Sequence, residues 1–243
     1  MMLLLISPVI IADASVSEAE VTVYDEIAVN GIPVTVRAET RKGFFRSGGE
    51  LVDFTADGKS LGKKLSGGDG IAFIEFLPYK AGKVRIEASF EGSKGEGLIL
   101  ILEKGGELVF IDVEGSLLEK GFTIGPRDGS RDAVDIIAKR SAVVYLRSGL
   151  PGHSMIKKWI SEKGFPPGPL IAWDEGAIFE DVRSIGLKVR AVIGSEAVVS
   201  SAEGYGAHQI VFGEGPEHDG SVDDWSMVPD IVRGDPVNPK GEL

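Results

Sequence analysis

The sequence predicts two units of different class. An all-β sandwich spans residues 20–103, and an α/β unit with a doubly wound parallel sheet spans residues 108–215. Three observations carry this. Up to Leu102, short β-branched or alternating segments recur between turns with no helical period among them. From Leu108 onward, continuous apolar runs alternate with segments of helical spacing. The chain has 243 residues, enough for two domains of ordinary size.

The elements follow in order. Met1 to Ile11 is almost wholly apolar and leads into Ala12-Asp13-Ala14, a small-x-small pattern suited to signal peptidase. No Lys or Arg precedes this run, so residues 1–19 read equally as a signal or as an N-terminal strand. The first reading makes the protein exported or periplasmic, the second cytoplasmic. Val21 to Tyr24, Val34 to Ala38 and Leu51 to Phe54 read as half-buried strands. Asp57-Gly58 signals a hairpin. Ile71 to Phe76, Val84 to Phe90 and Gly97 to Leu102 complete the set, and strands at this spacing argue for a sandwich. Residues 104–107 read as a linker.

In the second unit Leu108 to Ile111 has the form of a strand buried on both faces. Ser130 to Arg140 is expected as a helix with Ser130 as its cap. Ala142 to Leu146, Leu170 to Trp173, Val189 to Ile193 and Gln209 to Phe212 are the further strands. Met155 to Lys163, Ala177 to Ile185 and Val198 to Tyr205 are the helices between them. Repeated β-α units of this length imply parallel pairing. Residues 216–243 are expected as an acidic extension wrapping the surface, punctuated by Pro216, Pro229, Pro236 and Pro239.

Composition narrows the function. With no cysteine, disulfides, Cys-ligated metals and thiol catalysis are excluded. A formal net charge of −11 repels phosphate backbones and argues against a nucleic-acid partner. No internal stretch reaches the ~20 apolar residues of a membrane-spanning helix. His153, His208 and His218 show no metal-ligand spacing. The acidic residues Glu214, Glu217, Asp219, Asp223 and Asp224 match no calcium-loop pattern, and Trp159 and Trp173 sit in apolar runs that read as core.

The first unit resembles bacterial immunoglobulin-like domains. The resemblance rests on Gly49-Glu50-Leu51-Val52-Asp53-Phe54, Gly58-Lys59-Ser60-Leu61-Gly62, Gly70-Ile71-Ala72 and Ala81-Gly82-Lys83-Val84-Arg85-Ile86-Glu87-Ala88. It implies a spacer or a binding platform for a protein partner, without catalytic machinery.

In an open parallel sheet ligands sit at the carboxyl ends of the strands. Asp112-Val113-Glu114-Gly115-Ser116, Arg147-Ser148 and Gly194-Ser195-Glu196 follow three of the strands. Acids and a hydroxyl converging there suit a phosphate and Mg²⁺. The order of elements resembles the haloacid dehalogenase superfamily, and within it lipin-like phosphatidate phosphatase domains. The resembling stretches are Val109 to Ser116, Val143 to Ser148 and Trp159 to Leu170, the last carrying Gly164-Phe165-Pro166-Pro167-Gly168-Pro169-Leu170.

The resemblance implies a Mg²⁺-dependent phosphomonoesterase acting on a small phosphorylated or phospholipid-derived substrate. Asp112 would form the aspartyl-phosphate, and Glu114 would serve as general acid/base. Ser148 would hold the phosphoryl oxygen, and Lys188 would be the charge-neutralising lysine. Asp112, Glu114 and Glu196 would face the metal. The sequence departs from the family at four points: Glu114 stands where an Asp is usual, Ser195 stands where the main metal ligand is expected, the second acid of that motif is absent, and in the phosphatidate phosphatase register the lysine position falls nearer Ile178 than Lys188. Asp174 and Glu175 are the nearby acids that could substitute. A degenerate domain of the same fold, binding an anion or a protein, is therefore the alternative. A purely structural adhesin or assembly subunit is a third.

Overall fold

The computed structural model describes residues 19–119, 125–212, 221–222 and 224–234. The apolar start, Glu214, Glu217, Asp219, Asp223 and His218 lie outside them, as do most of the prolines of the C-terminal extension. The described residues are mostly β-sheet.

The first unit is a sandwich of two sheets. One contains β1 (Ala19–Val23), β3 (Val34–Lys42), β4 (Phe45–Arg46) and β7 (Ile71–Phe76), with β3 at its centre. The other runs in the order β2 (Glu26–Val29), β9 (Ser93–Leu102), β8 (Gly82–Phe90), β5 (Leu51–Ala56), β6 (Lys59–Leu65). Alternate residues point inward, as the two-residue period of a strand requires. Val21, Val23, Val36, Ala38 and Ile74 from one sheet meet Val52, Phe54, Ile86, Ala88 and Ile99 from the other. Asp57 and Gly58 turn β5 into β6 with positive φ at both, 45° and 77°, the conformation that Asp-Gly favours. The strands β2, β4 and β6 add to those legible in the sequence.

The second unit is a six-stranded parallel sheet with helices on both faces. Its strands are β10 (Glu107–Asp112), β11 (Ala142–Arg147), β12 (Leu170–Ala172), β13 (Lys188–Gly194), β14 (His208–Phe212) and β15 (Ser221–Val222), in the order β12-β11-β10-β13-β14-β15. All five pairings are parallel. The central strand β10 is apolar from Leu108 to Ile111 because both its sides are covered there. Val109 and Ile111 enter one core with α1 (Ser130–Ala138), α2 (His153–Glu162) and α5 (Val228–Arg233). Leu108 and Phe110 enter the other with α3 (Ala177–Ser184) and α4 (Glu196–Ser200).

Three local expectations are corrected. Ser130 is the first helical residue rather than the cap; the cap is Gly129, and the Ser130 hydroxyl donates to the carbonyl of Arg127. Helix α4 stops at Ser200, and turns carry the chain on to Gly206. The described part of the C-terminal extension does not merely wrap the surface. It contributes β15 and α5, and it buries Trp225, whose indole stacks on Phe212 at 4.8 Å.

The stretch 104–107 is no free tether. Gly105 donates to Gly186 O and Gly106 accepts from Lys188 N, so the connection is pinned to the second unit. Ile27, Val29 and Leu100 of the sandwich share a core with Leu108 and Phe110. The buried Asp25 fastens the same junction: its carboxylate accepts from Leu98 N at 2.7 Å, Leu170 N at 2.8 Å and the Lys157 ammonium.

Candidate functional site

Asp112 pairs with Leu146 of β11, and Ile111 pairs with Ile193 of β13. The residues that end β10, β11 and β13 therefore converge. After β10 the chain makes one wide π-type turn over Val113–Leu117, closed by Leu118 N to Val113 O at 3.0 Å. Such turns are rare within regular structure. Here the turn folds Glu114 back toward the loop after β11. Its Oε2 accepts from Ser148 N at 3.1 Å and its Oε1 from Gly149 N at 3.2 Å.

The Asp112 side chain is fully buried, 0% exposed. A buried carboxylate is costly unless hydrogen-bonded, and three donors meet this one. Ser148 Oγ donates to Oδ1 at 2.6 Å. Ser195 donates to Oδ2 twice, from its amide at 3.1 Å and its hydroxyl at 2.9 Å. The backbone closes over what remains. A Cβ added to Gly115 would stand 2.1 Å from Oδ2, and one on Gly194 would stand 2.5 Å from Asp112 Cβ. Further ties hold the turn itself: Ser116 Oγ donates to Asp112 O at 2.6 Å, and Trp225 Nε1 donates to Ser116 O at 2.9 Å.

The sequence-selected residues divide accordingly. Asp112, Glu114 and Ser148 come together. Lys188 does not join them. It opens β13 opposite Glu107, the first residue of β10, so it lies at the far end of the sheet, roughly 16 Å along the strand from Asp112. Its side chain is exposed. Glu196 is exposed in the first turn of α4, and Asp174 and Glu175 are exposed after β12.

Mg²⁺ requires near-octahedral oxygen ligation. The residues present do not fit it, because Asp112 is fully buried and Glu114 is turned onto the amides of Ser148 and Gly149. Both Asp112 oxygens and both Glu114 oxygens accept from protein donors. Among the described residues no group of three or more His, Asp or Glu side chains is arranged to hold a metal ion.

No family model and no curated protein matches the chain. Solved structures do resemble it. The D0-D1 domain of intimin is 18% identical over 35% of this chain and 49% of its own, with a TM-score of 0.30. Invasin, titled a bacterial integrin-binding protein, is 18% identical over 36% of this chain and 19% of its own, at 0.31. The fibronectin(III)-like modules of Clostridium thermocellum CbhA are 12% identical over 36% of this chain and 48% of their own, at 0.28. The chain thus spans about half or less of each. The immunoglobulin-like character of the first unit rests on its own two packed sheets.

Two partners escaped sequence reasoning. Ser195 reads as a lost metal ligand, and only its position after Gly194 at a strand end hinted that it would meet Asp112. Trp225 lies over 100 residues from the turn it braces, and no local pattern announces that contact.

Proposed function

We propose that the chain is a non-catalytic binding or scaffold protein in which an immunoglobulin-like module is joined to an α/β unit of haloacid dehalogenase type. The observation that carries this reading is the enclosure of Asp112. A nucleophile that attacks phosphorus needs a free oxygen lone pair and an open approach. Asp112 is 0% exposed, its oxygens accept three hydrogen bonds, and Gly115 and Gly194 press against it. In this state it acts as a tie between three strand ends.

An aspartyl-phosphate phosphatase is the second reading, favoured by the 2.6 Å contact of Ser148 with Asp112 at the sheet's carboxyl edge. Hydrolysis of p-nitrophenyl phosphate with Mg²⁺, wild type against Asp112→Asn, separates the two. The scaffold reading expects no turnover from either protein. Mg²⁺-dependent turnover lost in Asp112→Asn would overturn it, and beryllofluoride trapped on Asp112 in a crystal would do the same.

A further inference from the structure

Between the sandwich and the carboxyl edge of the parallel sheet lies a cavity of about 320 Å³, near the lower limit for small-ligand sites. Arg37, Arg46, Arg147 and His153 line it together with the apolar side chains of Phe73 and Leu170. We propose that this cleft binds a small phosphate monoester, its oxygens on the Arg147 guanidinium and its apolar part against Phe73 and Leu170. This goes beyond the scaffold reading and holds whether or not Asp112 is reactive.

The charge balance points there. Arg37 is paired with Glu26 at 3.0 Å and Arg46 with Glu39 at 2.8 Å. Asp25, the acid in the cavity wall, is engaged by Lys157 and two backbone amides. Arg147 has no carboxylate partner among the described residues. Its Nη1 reaches only the carbonyls of Gly149 and Pro151, at 3.4 and 3.5 Å, and its Nε is buried without an acceptor. An unmet donor of this kind is costly, and a guanidinium fork suits the oxygens of a phosphate.

His153 supports the same site. Its Nε2 is also buried without a partner. It opens α2, whose start has no side-chain cap. Burial chiefly, with Lys157, Arg147 and Arg37 adding to it against the opposing pull of Asp25, lowers the imidazole pKa to about 4. An anion beside the ring would reverse part of that shift. Half-exposed Phe73, with Ile71, Leu170 and Ile171, gives an apolar wall that a bare phosphate would leave unused.

Calorimetric titration of the full chain with phenyl phosphate, inorganic phosphate and benzoate at constant ionic strength tests this. Phenyl phosphate is expected to bind one to one, and about tenfold more tightly than inorganic phosphate. Arg147→Met should weaken it by about tenfold or more, and Arg131→Gln, an exposed arginine of α1, should leave it unchanged. Phe73→Ser, on the exposed side of the sandwich, should weaken phenyl phosphate and spare inorganic phosphate, which keeps the test valid if the Arg147 variant fails to fold. The His153 ring resonances should titrate at higher pH when phenyl phosphate is saturating. Absence of one-to-one binding, affinity that survives both substitutions, or benzoate binding as tightly as phenyl phosphate would overturn the proposal. Phenol release would count against the non-catalytic reading and leave the cleft assignment intact.

Discussion

Ser195 meets Asp112 with two donors at once, placing its amide 3.1 Å and its hydroxyl 2.9 Å from the same carboxylate oxygen. Together with Ser148 on the other oxygen, this joins the ends of β10, β11 and β13 through one side chain. Removing that side chain leaves three polar donors in a closed space. Asp112→Ala should therefore lower stability by about 3 kcal/mol in urea denaturation. Asp112→Asn keeps one acceptor but turns an amide donor toward one of the serines, and should cost about 1–2 kcal/mol. A tolerated Asp112→Ala would show that the carboxylate is not a structural tie.

The glycines against Asp112 make a separate, steric prediction. Gly115→Ala would drive a methyl to within 2.1 Å of Oδ2 and 2.5 Å of Ser195 N, so the strand ends must part. A loss of about 2–3 kcal/mol is expected from such overpacking. Gly204→Ala is the control: its φ is +83° but nothing lies within 4 Å, so only backbone strain of about 1 kcal/mol applies. Equal melting temperatures for the two variants would remove the claim that the site is closed.

The patterns that could be read from sequence were those generated by local periodicity. Leu108 to Ile111 is legible as a central strand because burial on both faces demands an unbroken apolar run. Asp57-Gly58 is legible because its turn requires positive φ at both positions. The strand β6, with six of its seven side chains polar, glycine or exposed, has no apolar alternation to declare it and forms through its register with β5. At the site, the meeting of Asp112 with Ser148 follows from parallel pairing alone. The enclosure of Asp112 does not, because it depends on the rotamer of Ser195 and the close approach of Gly115 and Gly194. Lys188 misled because a position just before a strand lies at its amino end, away from the ligand edge.

His153 gives the molecule a dependence on pH. Its folded pKa lies near 4 against a model-peptide value of 6.5, so between those values the unfolded chain binds more protons than the folded one. Stability must then rise with pH across that window and fall as pH drops from about 6.5 toward 4. The ceiling is about 3 kcal/mol. His153→Gln should flatten this slope in urea midpoints measured between pH 4 and 7, relative to wild type. An unchanged slope would show that the ring is protonated in the folded protein.

Asp25 governs whether the two units unfold together. It is fully buried at the junction and holds β9, β12 and α2 through Leu98, Leu170 and Lys157. The ammonium of Lys83 adds a bond from β8 to the carbonyl of Pro167. Breaking a buried ion pair by removing one partner strands the remaining groups and costs about 3–5 kcal/mol. Asp25→Ala should impose that cost at the boundary and leave each core intact, since Val36 and Phe54 pack in one and Val109 and Tyr145 in another. All three tryptophans, Trp159, Trp173 and Trp225, belong to the second unit, so their fluorescence follows that unit alone while far-ultraviolet circular dichroism follows both. The two signals should coincide during urea unfolding of the wild type and separate in Asp25→Ala. Coincident curves in the variant would mean that the shared core of Ile27, Val29 and Leu100 couples the units without the carboxylate.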